Sequence, residues 1–201
     1  MVANRGFDSV NSKTRLRLIE AAYDLLGTEG YLAISARRIA DRAGVKPQLV
    51  HYYFRTMEDL VVAVFQLSNA AYFDRHDKAL SSANPLRRIW DLNRRVPEGK
   101  RMMEYIALGK QYPKLRAVMR EAGANHRRRQ IEAIEDVYRQ HGSAPPMPAP
   151  AMAMLLSALA RNMVIEDEVG MDLGHAETQA QVERWLDSLI AEPADVADLA
   201  R

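Results

Sequence analysis

Between Ile34 and Phe54 the sequence ISARRIADRAGVKPQLVHYYF sets two short helical runs on either side of a glycine. In the first run Ile39 and Ala43 share a face, and Ala40 is small where a second helix would cross closely. Ser35 is a good N-cap for this run, because its hydroxyl accepts an otherwise orphaned backbone N–H. Gly44 supplies the left-handed backbone that a tight turn requires. Pro47 suits the first turn of the second run, which then buries Val50, Tyr53 and Phe54 at i, i+3, i+4 while Val45 plugs the corner. Two short helices packed across a glycine turn make a helix-turn-helix. From Pro47 to Phe54 the second helix is about 12 Å long at ~1.5 Å per residue, a size that suits a major groove. Its outer face carries Gln48, His51, Tyr52 and Arg55, none of which a core needs.

The remaining chain also reads as helix. Leu18, Ile19, Ala22, Leu25 and Leu26 repeat with a period near four, predicting an amphipathic helix over 12–28 that ends at Gly27 and Gly30. Thr56-Met-Glu-Asp59 resembles a capping box with Asp in place of Glu or Gln, opening a helix that reaches about Leu80. Further helices are expected near 85–95, 98–111 and 114–141, then a stiff GSAPPMPAP loop at 142–150, a helix near 150–168 and a last helix. That last helix carries a stripe of Val182, Trp185, Leu186, Leu189 and Ile190. No strand alternation and no internal repeat is visible. The expected fold is all-α, with a flexible tail at 1–11, a three-helix DNA-binding domain at 12–55 and a larger helical domain at 56–201.

Charge is uneven along the chain. Residues 1–55 hold nine Lys/Arg against five acids, a local +4, whereas 142–201 hold three Arg against ten acids, a local −7. A basic front and an acidic tail point to a polyanionic partner at the N-terminal end. The chain has no cysteine, which removes disulfides, thiolate metal sites and cysteine nucleophiles. No apolar run approaches the ~20 residues of a membrane span, and MVANRGFDSVNSK lacks the apolar core of a signal peptide, so a cytoplasmic protein with no membrane partner is expected. There is no glycine-rich phosphate loop, nucleophile elbow or His-Glu helix motif, and no enzyme, cofactor or metal is expected. His76 lies between Asp74 and Asp77, but that spacing does not put all three on one helical face. The basic cluster NHRRRQ at 125–130 reads as a solvated face.

Residues 12–60 resemble the DNA-binding domain of the TetR family of transcriptional regulators. The resemblance is carried by Ala21-Ala22 with Leu25-Leu26, the Gly30-Tyr31 turn, Ser35-Ala-Arg-Arg-Ile39-Ala40, Ala43-Gly44-Val45, Tyr53-Phe54 and Glu58-Asp59-Leu60. Lys46 stands where the family usually has a Ser or Thr cap, His51 where a phosphate-contacting Tyr is common, and Met57 where a Lys is common. The family implies a regulator, more often a repressor, that binds double-stranded DNA as a homodimer and responds to a small-molecule effector, here unknown.

On DNA, Ser35, Arg37, Arg55 and Thr56 flank the groove and are candidates for phosphate contact. Lys46, Gln48 and Tyr52 are candidate base readers, Leu49 reaches a thymine methyl, and His51 either bonds a phosphate or packs at the edge. Arg5 is placed on the tail. A single reading helix buries too little for specific affinity, so dimers are the usual solution. Met152, Leu155, Leu156, Leu159 and Met163, with Val182, Trp185, Leu186 and Leu189, are the candidate interface, and the resemblance implies a four-helix bundle across a two-fold axis. The resemblance also implies an effector pocket among the middle helices. Trp90, Met102, Met103, Tyr105, Ile106, Tyr112 and Met119 either line it or are ordinary core. Arg161 and Asn162 interrupt an apolar helix and either meet a ligand or pair with an acid such as Glu166 across the dimer. The alternative function is a DNA-binding dimer controlled by a protein partner or by no effector, with a filled core.

Overall fold

The computed structural model describes residues 4–142 and 144–189, with side chains described for 13–95, 99–142 and 144–189. Among the described residues there is no strand: the order is α1 (Asn4–Glu29), a short 3-10 turn (Tyr31–Ala33), α2 (Ala36–Ala43), α3 (Gln48–Tyr53), α4 (Met57–Leu80), α5 (Pro85–Asn93), α6 (Val96–Gln111), α7 (Pro113–Gln140), α8 (Ala149–Glu168) and α9 (His175–Ser188). None of these helices is long and apolar enough to cross a membrane.

Helix boundaries follow the local chemistry. Ser35 caps α2 by accepting the Arg38 N–H at 3.4 Å, and Gly44 ends it in the left-handed region at φ 66°. Asn84 does the same for α5, accepting the Arg87 N–H at 3.0 Å, with Pro85 in the first turn. Thr56 accepts the Asp59 N–H at 3.0 Å, as the capping-box pattern predicts. Two helix starts differ from expectation by two residues or more. The first helix begins at Asn4, so 4–11 is helical backbone rather than a tail. Once a helix is nucleated each added residue costs little, and this stretch holds no proline to stop it. The side chain of Arg5 and the structure of Ile190 lie outside the described residues. At the other difference, α6 starts at Val96, because Pro97 falls in the first turn, where a missing N–H is harmless.

Two compact units emerge, and they do not divide at 55/56. The first takes in the chain up to Tyr72 together with Lys100–Ala122, and the second Phe73–Gly99 and the chain from Gly123 onward. In the first unit, Leu18, Leu25 and Leu26 of α1 pack with Ile39 and Ala40 of α2, Val50 of α3, Leu60 of α4 and Leu115 of α7. In the second, Leu86 and Trp90 of α5 pack with Ile134 of α7, Met152, Leu156 and Met163 of α8, and Leu186 of α9.

The second unit also contains an aromatic and histidine cluster, with His76 buried and Phe73 and His126 half-buried. His126 stacks on Phe73 with ring centroids 3.9 Å apart, and His76 meets His126 edge-on at 5.2 Å. Arg129 pairs with Asp77 and lies over the Phe73 ring. The 125–130 cluster is therefore not simply a solvated face: His126 and Arg129 pack against α4, and Gln130 is buried. Burial lowers the pKa of both histidines, that of His126 to about 4 with His76 as the next cause. The fold thus holds them neutral, while in the unfolded chain they charge below ~6.5. Stability from this cluster is complete above that pH and declines as pH falls from there toward 4. Denaturant titrations at pH 7.5 and 5.0 should show a lower midpoint at pH 5.0, and His126→Phe should flatten the difference. An unchanged pH dependence in the variant would remove His126 as a cause.

Candidate nucleic-acid interface

The corner between α2 and α3 is built on Gly44 and held from outside by α1. The Arg17 guanidinium donates to the Ala43 carbonyl, satisfying the C-terminal end of α2. Arg15 lies over the Phe54 ring, 5.0 Å from its centroid, at the end of α3. Arg38 pairs with Glu29, and Arg42 pairs with both Asp24 and Glu29. Glu104 of α6 accepts the Tyr31 N–H at 2.6 Å, fixing the short turn that leads into α2. At the start of α4, Lys114 of α7 pairs with Asp59 at 3.0 Å and its backbone N–H donates to Glu58 at 2.7 Å. Lys114, and then Thr56, hold the Asp59 carboxyl below its usual range.

These ties separate structural cations from available ones. Arg17, Arg38 and Arg42 serve the fold, a division invisible in the sequence because their partners lie up to 26 positions away. Among the described residues, Arg37, Lys46 and Arg55 enter no ion pair, and all three are exposed. Ser35, Gln48, His51, Tyr52 and Thr56 are exposed with them, and Leu49 is half-buried. Tyr52 is 67% exposed, propped edge-on against Tyr53 at 5.0 Å. Helix α3 itself is Gln48–Tyr53, shorter at each end than expected, because Pro47 forms its N-cap and Phe54 turns to extended backbone. All nine candidate DNA-contacting residues thus fall between the start of α2 and the start of α4, with only Leu49 turned partly inward.

The candidate dimer interface needs correction. Met152, Leu156, Met163, Val182 and Leu186 are buried inside the second unit, and Trp185 and Leu189 pack against that core. Leu155 and Leu159 are 50% and 38% exposed, and Met154 and Ile165, which the sequence reading missed, are exposed beside them. An α8 that is apolar all round offers no amphipathic contrast by which to separate its two faces. Asn162 lies on the exposed side, and Arg161 is exposed too. Glu166 is engaged within the subunit: His175 lies 2.7 Å away and, with Asn162, holds its carboxyl below the usual range. Arg161 instead approaches Arg127, whose pKa is lowered by burial and then by that neighbouring charge.

The candidate pocket residues are distributed over both units. Tyr105 is core in the first, edge-on to Phe65 at 5.1 Å, and burial pushes its hydroxyl pKa up to about 12. Tyr112 and Met119 pack against the same core, while Met102, Met103 and Ile106 are exposed. Trp90 is core in the second unit and lines a cavity of about 10 Å³ between α5, α7 and α8, whose other polar walls, Asn93, Gln130 and Ser157, the sequence reading missed. Polar residues at core positions of α7 and α8 were the signal that could have found the last two. A wider surface cleft of about 560 Å³, lined by Leu80, Pro85, Arg129, Glu132, Asp136 and His141 among others, lies between the end of α4, the start of α5 and the end of α7.

Comparison with known proteins bears on the first of these regions above all. Residues 18–64 match the family model described as bacterial regulatory proteins, tetR family. The HTH-type transcriptional regulator BetI of Rhizobium meliloti is 40% identical over 52 residues, 26% of this chain and 26% of that protein. BetI of Brucella anthropi is 38% identical over 52 residues, 26% and 27% of the two chains. The match thus spans about a quarter of these curated relatives' own length. Among solved structures, a transcriptional regulator from Saccharomonospora viridis in complex with choline has a TM-score of 0.73 at 20% identity, covering 90% of this chain and 97% of that one. A TetR transcription regulator from Haloarcula marismortui has a TM-score of 0.69 at 18% identity, covering 87% and 96%. At such identities the structural likeness is one of fold.

Proposed function

We propose that this chain, whose residues 18–64 match the tetR family model, is a one-component repressor that binds a palindromic operator as a homodimer and is released by a small-molecule effector. In this reading residues 12–55 bind DNA and residues 56–201 bind effector and dimerise. The observation that carries the proposal is the division of cations around α3. Arg17, Arg38 and Arg42 are tied into the fold, while Arg37, Lys46 and Arg55 stand exposed around Gln48 and Tyr52. Phosphate contacts from Ser35, Arg37, Arg55 and Thr56 would set the register, and Lys46, Gln48 and Tyr52 would read base edges. His51, exposed on the same face, fits a phosphate contact better than an edge-packing role.

The exposed stripe of Met154, Leu155, Leu159 and Ile165 supports a second copy as the partner of α8. A solved neighbour of similar fold holds choline, which supports a small-molecule effector here. Release would follow if the effector changed the spacing of the two reading helices, so that both no longer sit in successive major grooves. The small size of the cavity beside Trp90 favours a second reading, control by a protein partner or by no effector.

The two kinds of DNA contact separate by salt. Gln48→Ala should lower affinity of the dimer for the selected operator by about 30-fold or more, from ~1–3 kcal/mol at each of its two base contacts, without changing the salt slope. Arg55→Ala should weaken binding to all duplexes and reduce the slope of log K against log salt by about 0.9 per phosphate contact, close to two units for a dimer. Fluorescence anisotropy over a salt series reads both. Equal losses on operator and random duplex for Gln48→Ala would exclude it as a base reader.

A further inference from the structure

The surface cleft between the end of α4, the start of α5 and the end of α7 lies wholly within the second unit. Its volume of about 560 Å³ is that of a small-molecule site. Leu80, Ala83, Pro85 and Val137 give it apolar walls. Glu132 and Asp136 stand one turn apart on the face of α7 that lines it. Glu132 is exposed and enters no ion pair among the described residues. Asp136 meets Arg139 at 2.6 Å, but the two side chains are 54% and 71% exposed, and such a pair is weak. Two like charges at this spacing also repel each other.

The remaining polar groups of the lining favour the same sign of partner. A carbonyl only accepts, so the His141 ring donates its Nδ1–H to Val137 at 2.8 Å, and in the neutral ring Nε2 is left as an acceptor. The Ser82 hydroxyl donates to the Ala79 carbonyl at 2.7 Å. Arg129, the one Lys or Arg among the described lining residues, pairs with Asp77 and lies over the Phe73 ring. At the start of α5, Pro85 has no N–H, and Asn84 accepts that of Arg87. Leu80 and Gln140, the last residues of α4 and α7, bring the negative ends of two helix dipoles to the rim. The complement of such a lining is a cation with protons to donate, carried on an apolar chain. We infer that the cleft binds the ammonium end of a small alkylamine, an assignment that rests on the effector response proposed above and names the class of its ligand. The ammonium donates to Glu132 and Asp136, and the chain lies against Leu80 and Val137. A quaternary ammonium, such as the choline held by the structural neighbour, has the charge but no N–H to give.

The test uses the full chain and three probes of one chain length. Hexylammonium is compared with hexyltrimethylammonium, which keeps the charge without the N–H, and with hexan-1-ol, which keeps the chain without the charge. Titration calorimetry at pH 7.5 should give one hexylammonium per subunit, with a dissociation constant about tenfold or more below that of either analogue. Glu132→Gln and Asp136→Asn, both at exposed positions, should each weaken it about fivefold. Glu135→Gln, at an exposed acid of α7 outside the cleft, should leave it unchanged. No saturable binding, equal or tighter binding of an analogue, or a constant unmoved by both cleft substitutions would each overturn the inference. Operator affinity is measured on the same samples. Amine that binds in the cleft without releasing the operator would count against the effector reading and not against the site, whereas release undiminished in both cleft variants would do the reverse.

Discussion

Leu155→Glu combined with Leu159→Glu should leave the subunit folded and remove specific DNA binding. Both side chains point away from the second unit's core, at 50% and 38% exposed, in a stripe continued by Met154 and Ile165. Met152, Leu156 and Met163, buried positions of the same helix, keep the core filled. In an interface between two copies the change would place four carboxylates in an apolar contact, where unpaired charge is strongly unfavourable. Specific binding needs both reading helices, since a single module buries too little surface. Affinity for the selected operator should therefore fall by about 10³-fold or more, toward the non-specific level. Light scattering after size exclusion should report a monomer, with the helical circular dichroism unchanged. A variant that remains dimeric would show that α8 is not the interface. Met152→Glu is the contrasting control: it buries a charge at a position with no exposure, so it should unfold the second unit.

Ile39→Ala should destabilise the first unit by about 2–5 kcal/mol, against about 0.5–1.5 kcal/mol for Ile39→Val. Ile39 has no exposed surface and belongs to the cluster that joins α1, α2, α3 and the start of α4. Its loss leaves a cavity at the one place where α2 and α3 cross, with Ala40 and Ala43 too small to fill it. Urea titration followed by circular dichroism measures the change. DNA binding should be lost at a lower temperature than in the parent, because α3 has six residues and depends on packing for its helical state. A loss below 1 kcal/mol for Ile39→Ala would mean that the corner collapses around the gap.

The helix-turn-helix segment was legible because its determinants are local. Ser35, Gly44 and Pro47 each act within a turn of helix, and Ile39, Val50 and Phe54 declare the buried side by spacing alone. The cations around it were not equally legible. Arg17, Arg38 and Arg42 look no different in sequence from Arg37 and Arg55 until the fold brings Ala43, Glu29 and Asp24 beside them. Helix α8 failed for a different reason: Met152 and Leu155 are both apolar, and only packing against α5, α7 and α9 decides which of them is buried. The middle helices failed again differently. Their methionines and aromatics suit a pocket or a core equally well, whereas Gln130 and Ser157, polar residues at core positions, held the better clue.

Sequence-specific recognition by a dimer is read out by selection from a random duplex pool. The full chain is first unfolded and refolded to free it of carried ligand, then equilibrated with the pool at physiological salt. A palindrome whose half-sites lie about one helical turn apart, ~34–36 Å, or a close multiple, should be enriched. Retention that falls with salt but enriches no sequence, or no retention of any duplex, would rule out such recognition.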